Sequence, residues 1–230
     1  MSSTFFAQGG DYDDLLEMLV DEKYEKLLYR AEKYTMDDKT TKHALPYLYM
    51  ARAFYQISLK PEDYEEKWSD KSLKNSLKYA VKYVKKDKEL EYYAEHSEFF
   101  DDLRSACISE AEVYNDQEKY TKSKGYYKSL TDIDENDAGA WLMQGYTYYM
   151  SKSKKDAELS FESAKAAIES GACERLTEVQ LDLFKTGLIY VSEQLNSDGD
   201  STQAKAWLEL GYEYFKDDKE YNVTYQMIVG

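Results

Sequence analysis

The residues that could do chemistry are few. His43 and His96 are the only two histidines, and neither has a nucleophile, a second imidazole or a thiol at a spacing that would make it a base or a ligand. The stretch DIDENDAG sets Asp132, Asp134 and Asn136 at alternate positions, as a calcium loop does. Such a loop also needs glycine sixth and a bidentate glutamate twelfth, and those places hold Asp137 and Met143. NSDGD offers Asn196, Asp198 and Asp200 without a distal ligand, and the paired carboxylates of FFDDLRS read as a solvated helix face. There is no Gly-rich phosphate loop, nucleophile elbow, CxxC or HExxH. The expectation is no enzyme, no cofactor and no metal site.

The elements that would position any site are helices. In WLMQGYTYYMSKSKKDAELSFESA, Trp141, Gly145 and Tyr148 stand four and three apart, and so do Ala157, Phe161 and Ala164. Each trio falls on one helix face. Gly145 and Ala157 are small where two antiparallel helices would cross, with Trp141, Tyr148 and Phe161 filling the space beside them. Moving back 34 residues, the same places hold Cys107, Ala111, Tyr114, Ser123, Tyr127 and Leu130. A third unit carries Leu183, Gly187 and Tyr190, then Ala204, Leu208 and Gly211, with insertions around ACERLTEV and NSDGD, where loops tolerate them.

This pattern resembles the tetratricopeptide repeat (TPR) family, W-x2-L-G-x2-Y followed by A-x3-F-x2-A within 34 residues. The match is specific over 104–171 and departs at Gln144 and Glu169. The resemblance implies an all-α fold, a right-handed superhelix of antiparallel helix pairs forming a TPR-like α-solenoid. Its repeats would be 104–137, 138–171 and a degenerate 180–213, within one helical domain over 11–220 closed by a cap or tail at 221–230. Upstream the register is looser. DEKYEKLLYRAEKY reads as a turn entering a second helix. Tyr47, Met50, Ala51 and Phe54 read as a first helix, Leu73, Leu77 and Ala80 as its partner, and KPEDYEEKW as an insertion between them. From Lys88 to Asn115 no breaker occurs, which predicts one long helix.

Composition agrees with this class. The 230 residues suffice for one domain or one short solenoid, and only 2 prolines and 10 glycines interrupt them. With 30 basic against 45 acidic residues the net charge is −15, which argues against nucleic acid and anionic membrane surfaces as partners. No apolar run approaches the roughly 18 residues of a membrane span, so a soluble chain without membrane insertion is expected. Cys107 and Cys173 are too few for a disulfide framework and read as small buried hydrophobes. The 24 tyrosines suit half-buried faces, with the ring packed and the hydroxyl wet. Residues 1–10 read as a disordered terminus or as the residual end of a signal peptide. In the second case cleavage follows Ala7, despite Phe5 where a small residue is preferred, and the protein is periplasmic or secreted; otherwise it is cytoplasmic.

The resemblance also implies a binding surface on the concave side, lined by the first helix of each pair. Projected onto this chain, that surface takes Ser105, Ile108, Ser109 and Glu112 from one repeat and Leu142, Met143, Tyr146 and Tyr149 from the next. Phe184, Lys185 and Leu188 come from the third. Only Lys185 is basic, so a carboxylate clamp for acidic C-terminal peptides is not expected. The second stripe Leu142–Tyr146–Tyr149 is either covered by neighbouring repeats and the C-terminal segment or left open. The function this favours is a non-catalytic scaffold or adaptor binding a peptide or partner helix in an apolar, tyrosine-rich groove. The alternatives are a small-ligand or glycan-binding repeat protein and an accessory enzyme subunit.

Overall fold

A computed structural model describes residues 12–89 and 93–230; the expectations for residues 1–10 lie outside them. Among the described residues every regular element is helical, with twelve α-helices and three short 3₁₀ turns. No helix there is long and apolar enough to cross a membrane. The chain divides into two compact units, 1–103 and 104–230.

The first unit contains α1 (Asp13–Val20), α2 (Tyr24–Met36), α3 (Leu45–Leu59), the short α4 (Glu66–Ser69), α5 (Ser72–Lys86) and the start of α6 (Ser97–Asp116). Pro46 sits in the first turn of α3, where its missing N–H costs nothing. That helix packs between α2 and α5 and is therefore apolar on more than one face. Leu15, Leu27, Leu28, Met50, Phe54 and Ile57 form the core. Phe54 stacks on Tyr79 of α5 with centroids 5.6 Å apart, and Ser76 Oγ donates to the Ala51 carbonyl at 2.8 Å where α3 and α5 meet. The insertion is not a passive loop. Its α4 sends Trp68 into the core, buried against Phe54 and edge-on to Tyr29.

The helix expected from Lys88 to Asn115 does not form as one piece. α5 stops at Lys86, a 3₁₀ turn covers Ala94–His96, and α6 begins only at Ser97; residues 90–92 lie outside the description. At the end of α5 the buried Asp87 leaves helical geometry (φ −92°, ψ 69°), and its carboxylate accepts from Tyr83 Oη one turn back at 2.6 Å.

The second unit contains the rest of α6 and then α7 (Tyr120–Ile133), α8 (Ala138–Met150), α9 (Lys154–Glu169), α10 (Glu178–Ser197), α11 (Ser201–Phe215) and α12 (Lys219–Ile228). α8 packs on α7, α9 and α10, and α10 packs on α8, α11 and α12. Three turns of this unit close alike. Glu118, Lys152 and Gly199 are left-handed (φ 55°, 63° and 90°) and close the turns after α6, α8 and α10. At each, the following amide reaches back across the helix end: Lys119 N–H to Tyr114, Ser153 N–H to Tyr148 and Asp200 N–H to Leu195, at 2.8, 2.9 and 2.8 Å. This is the Schellman arrangement, which satisfies carbonyls that the helix end would leave open.

Close crossings follow the small residues. A Cβ at Gly145 would stand 2.5 Å from Cδ1 of Phe161, so the α8–α9 contact needs glycine there. α8 and α10 approach more closely still. A Cβ at Gly139 would lie 2.6 Å from the Leu183 carbonyl carbon, and one at Gly187 would lie 2.7 Å from Leu142 Cβ. Ala157 and Ala164 are buried, as their spacing predicts, whereas Trp141, Tyr148 and Phe161 are only half-buried. Trp141 stays at the edge because its indole N–H donates to the Glu135 carbonyl at 2.9 Å in the preceding turn. Phe161 reaches past its own pair to Trp207, with centroids 5.7 Å apart.

Candidate functional site

A groove of about 460 Å³ lies between α6 and α10. Ser105, Ile108, Ser109 and Glu112 form one wall; Glu178, Val179, Asp182, Leu183 and Thr186 form the other. Each set repeats every three or four residues and so occupies one helix face. Ile108, Val179 and Leu183 supply apolar surface, the serines and Thr186 leave room, and Glu112, Glu178 and Asp182 bring three carboxylates. Among the described residues lining it, none is basic.

The helices around this groove are tied by a buried polar network. Asp137 caps α8, its Oδ1 accepting from the Ala140 N–H at 2.9 Å. Its Oδ2 accepts from Arg104 Nε of α6 at 3.1 Å and from Gln180 Nε2 of α10 at 3.3 Å. Gln180 Nε2 also donates to Asp134 at 2.8 Å, while its Oε1 accepts from the Thr177 N–H in a capping box that opens α10. Burial holds the Asp137 carboxyl above its ordinary range; Arg104, the Ala140 N–H and Gln180 offset part of that rise, and the nearby Asp134 charge adds to it. One carboxylate thus joins α6, α8 and α10, which sets the spacing of the groove walls.

Charge around the groove is uneven. Burial pushes the Glu112 carboxyl above its ordinary range, and the negative charges of Asp116 and Asp182 add to this. Asp182 makes a 3.3 Å ion pair with Lys185, which also meets Asp218 and Glu220 at 3.2 Å each. Those contacts hold Lys185 protonated above its ordinary range despite the opposing effect of burial, and they fasten α10 to the start of α12.

The sequence-derived groove positions separate into two groups. The four α6 positions, Ser105, Ile108, Ser109 and Glu112, line the groove together. Leu142, Met143, Phe184 and Leu188 do not; all four are fully buried. Leu142 is covered at the α8–α10 crossing by Gly187, Leu188 fills the space over Gly211 at the α10–α11 crossing, and Phe184 packs edge-on against Tyr214 and Phe215. Tyr146 and Tyr149 are half-buried. Tyr146 lies edge-on to Tyr120 and Tyr190, and Tyr149 Oη donates to Asp198 at 2.7 Å. The second stripe of α8 is therefore largely covered by the neighbouring pair. Lys185 is engaged by three carboxylates. The α10 wall consists of Glu178, Val179, Asp182, Leu183 and Thr186, a face rotated from the projected one. The mixed acidic and apolar residues at 178, 179, 182 and 183 are the signal that identifies it.

His43 and the two acidic stretches have structural partners. Tyr12 Oη and His43 Nδ1 share a 2.6 Å hydrogen bond. His96 is lowered from its ordinary value by burial and then by the Arg52 charge. In DIDENDAG, Asp134 accepts the Asn136 N–H at 3.0 Å and Asp132 pairs with Lys128 at 2.9 Å. In NSDGD, Asp200 caps α11 and Asn196 accepts from Ser201 at 2.8 Å. Among the described residues no group of three or more His, Cys, Asp or Glu side chains is placed to hold a metal ion.

The described residues define an all-α protein whose second unit packs helices against their neighbours. Comparison with protein-family models, with curated proteins and with solved structures finds no match to this chain.

Proposed function

We propose that this chain is a non-catalytic scaffold of the tetratricopeptide-repeat type, holding an extended peptide or a partner helix in the groove between α6 and α10. The observation that carries the reading is the groove itself. Its walls come from the first helices of the 104–137 and 180–213 repeats, as they would on the concave side of a right-handed solenoid. Two further features support it. Arg104, Asp137 and Gln180 fix the helices that form it, so the surface is preorganised. His43 shares its hydrogen bond with Tyr12, and acidic residues of DIDENDAG and NSDGD are engaged in hydrogen bonds and caps of their own turns.

The test is to block the groove without disturbing the core. Ser109 is exposed and Thr186 half-exposed, so Ser109→Trp with Thr186→Trp fills the space from both walls. Peptides selected by display against the parent should lose binding at least about tenfold to this variant, a change of about 1.4 kcal/mol, with its melting temperature unchanged. A melting-temperature rise with sugars, and none with any selected peptide, would favour the glycan-binding alternative instead.

A further inference from the structure

The groove carries information about what it accepts. Ile108, Val179 and Leu183 offer an apolar floor, while Glu112, Glu178 and Asp182 stand around it with no basic residue among the described lining. The Asp182 side chain is 72% exposed, so an incoming group can reach it. We infer that the groove selects a basic peptide segment. A lysine or arginine of the ligand places its charge between Glu112 and Asp182, while its aliphatic stem and a neighbouring apolar residue cover Ile108, Val179 and Leu183. This deepens the scaffold reading and rests on it.

Charge complementarity singles out that occupant. Glu112 is already half-withdrawn from water, and Asp182 and Asp116 raise its proton affinity further, so an anionic ligand would add repulsion to a site that carries an excess of it. A cation reverses the sign of each of these interactions at once. A purely apolar segment would cover the floor but strip water from Glu112 and Glu178 and offer them no counterion, which is costly. A basic side chain with a long methylene stem serves both surfaces. The net charge of −15 steers such ligands from a distance, an effect that ionic strength weakens. Small hydroxyl residues and branched apolar residues occur on both walls, which suits an extended chain more than a bulky planar ligand.

Three fluorescein-labelled, end-capped dodecapeptides provide the test. They are built on Ser-Leu-Lys, Ser-Leu-Gln and Ser-Leu-Glu repeats and followed by fluorescence anisotropy at about 50 and about 300 mM NaCl. The lysine peptide should bind at least about tenfold more tightly than the other two, and binding should weaken with salt. Glu112→Gln with Asp182→Asn, and each single change, should reduce its affinity, the pair by at least about tenfold. Glu158→Gln with Glu162→Gln makes the same charge change on two exposed positions of α9 and should leave affinity within about twofold. Equal losses in the two double variants would mean attraction to overall charge and would overturn the inference. Tighter groove binding by the glutamine or glutamate peptide, abolished by Ser109→Trp with Thr186→Trp, would also overturn it while leaving the scaffold reading intact. Lysine-peptide binding that survives this groove-filling pair would remove both.

Discussion

Arg104 Nε donates to Asp137 Oδ2 at 3.1 Å with both side chains out of solvent, at 2% and 0% exposure. The two residues lie 33 positions apart, one within α6 and the other at the start of α8. A charge pair this deep is stabilised by its additional hydrogen bonds rather than by attraction alone, because each ion has given up its water. Removing one member leaves the other buried without its counterion.

Arg104→Met should therefore destabilise the protein by about 3–5 kcal/mol, read as a shift in the urea midpoint. Adding Asp137→Asn, which keeps a capping side chain and removes the stranded charge, should recover part of that loss. If Arg104→Met unfolds at the same urea concentration as the parent, the pair does not hold α6 to α8.

Three glycines should respond to alanine in three ways. At Gly139 the new methyl group would meet α10 backbone at Leu183 and Phe184, which cannot turn aside, and the expected loss is about 3 kcal/mol. At Gly145 it would meet the Phe161 ring, which can tilt, and the loss should be smaller, about 1–2 kcal/mol. At Gly125, inside α7 and with nothing within 4 Å, alanine should stabilise by about 0.5–1 kcal/mol through its better helix propensity. Thermal melts of the three variants give the order directly, and any other order would mean that the crossings are placed wrongly.

Burial pushes the Cys107 thiol up to about 12 and the Cys173 thiol up to about 11. Reaction with a disulfide reagent needs the thiolate, so the folded protein should leave both thiols unmodified at pH 8 over the minutes in which a denatured sample reacts completely. Raising the pH toward those values should increase the thiolate fraction at Cys173 before Cys107. Rapid native labelling at pH 8 would contradict the packing of the α6 and 172–175 segments.

Much of the second unit was legible because side-chain size alone carries its 34-residue register. Gly145 opposite Phe161, the buried Ala157 and Ala164, and the start of α8 at Ala138 all follow from spacing. Trp141 shows where that reasoning stops. Its position predicts a core residue, yet the Glu135 carbonyl holds the ring at an edge, and Trp141→Ala should cost less than the removal of a fully buried tryptophan. The α6 wall of the groove was legible because α6 lies in the regular register. The α10 wall was not, because Leu183, placed by its register inside the repeat, faces the groove, while Phe184 is buried against Tyr214 and Phe215. Arg104 and Gln180 gave no local signal at all, since their shared partner Asp137 is brought to them only by helix packing. The late start of α6 at Ser97 was not legible either, because no proline or glycine stands between Lys88 and Ser97.

Asp182 stands in two places at once, on the groove wall and beside Lys185, whose ammonium also grips Asp218 and Glu220 at the start of α12. On the proposed function, occupancy of the groove and seating of the last helix would be linked through that one ammonium. A ligand cation that takes Asp182 leaves Lys185 to Asp218 and Glu220, and a change that loosens α12 leaves Lys185 to neutralise Asp182 instead. By reciprocity the two effects would have the same free energy and sign, which would make the terminal helix a weak rheostat on the groove.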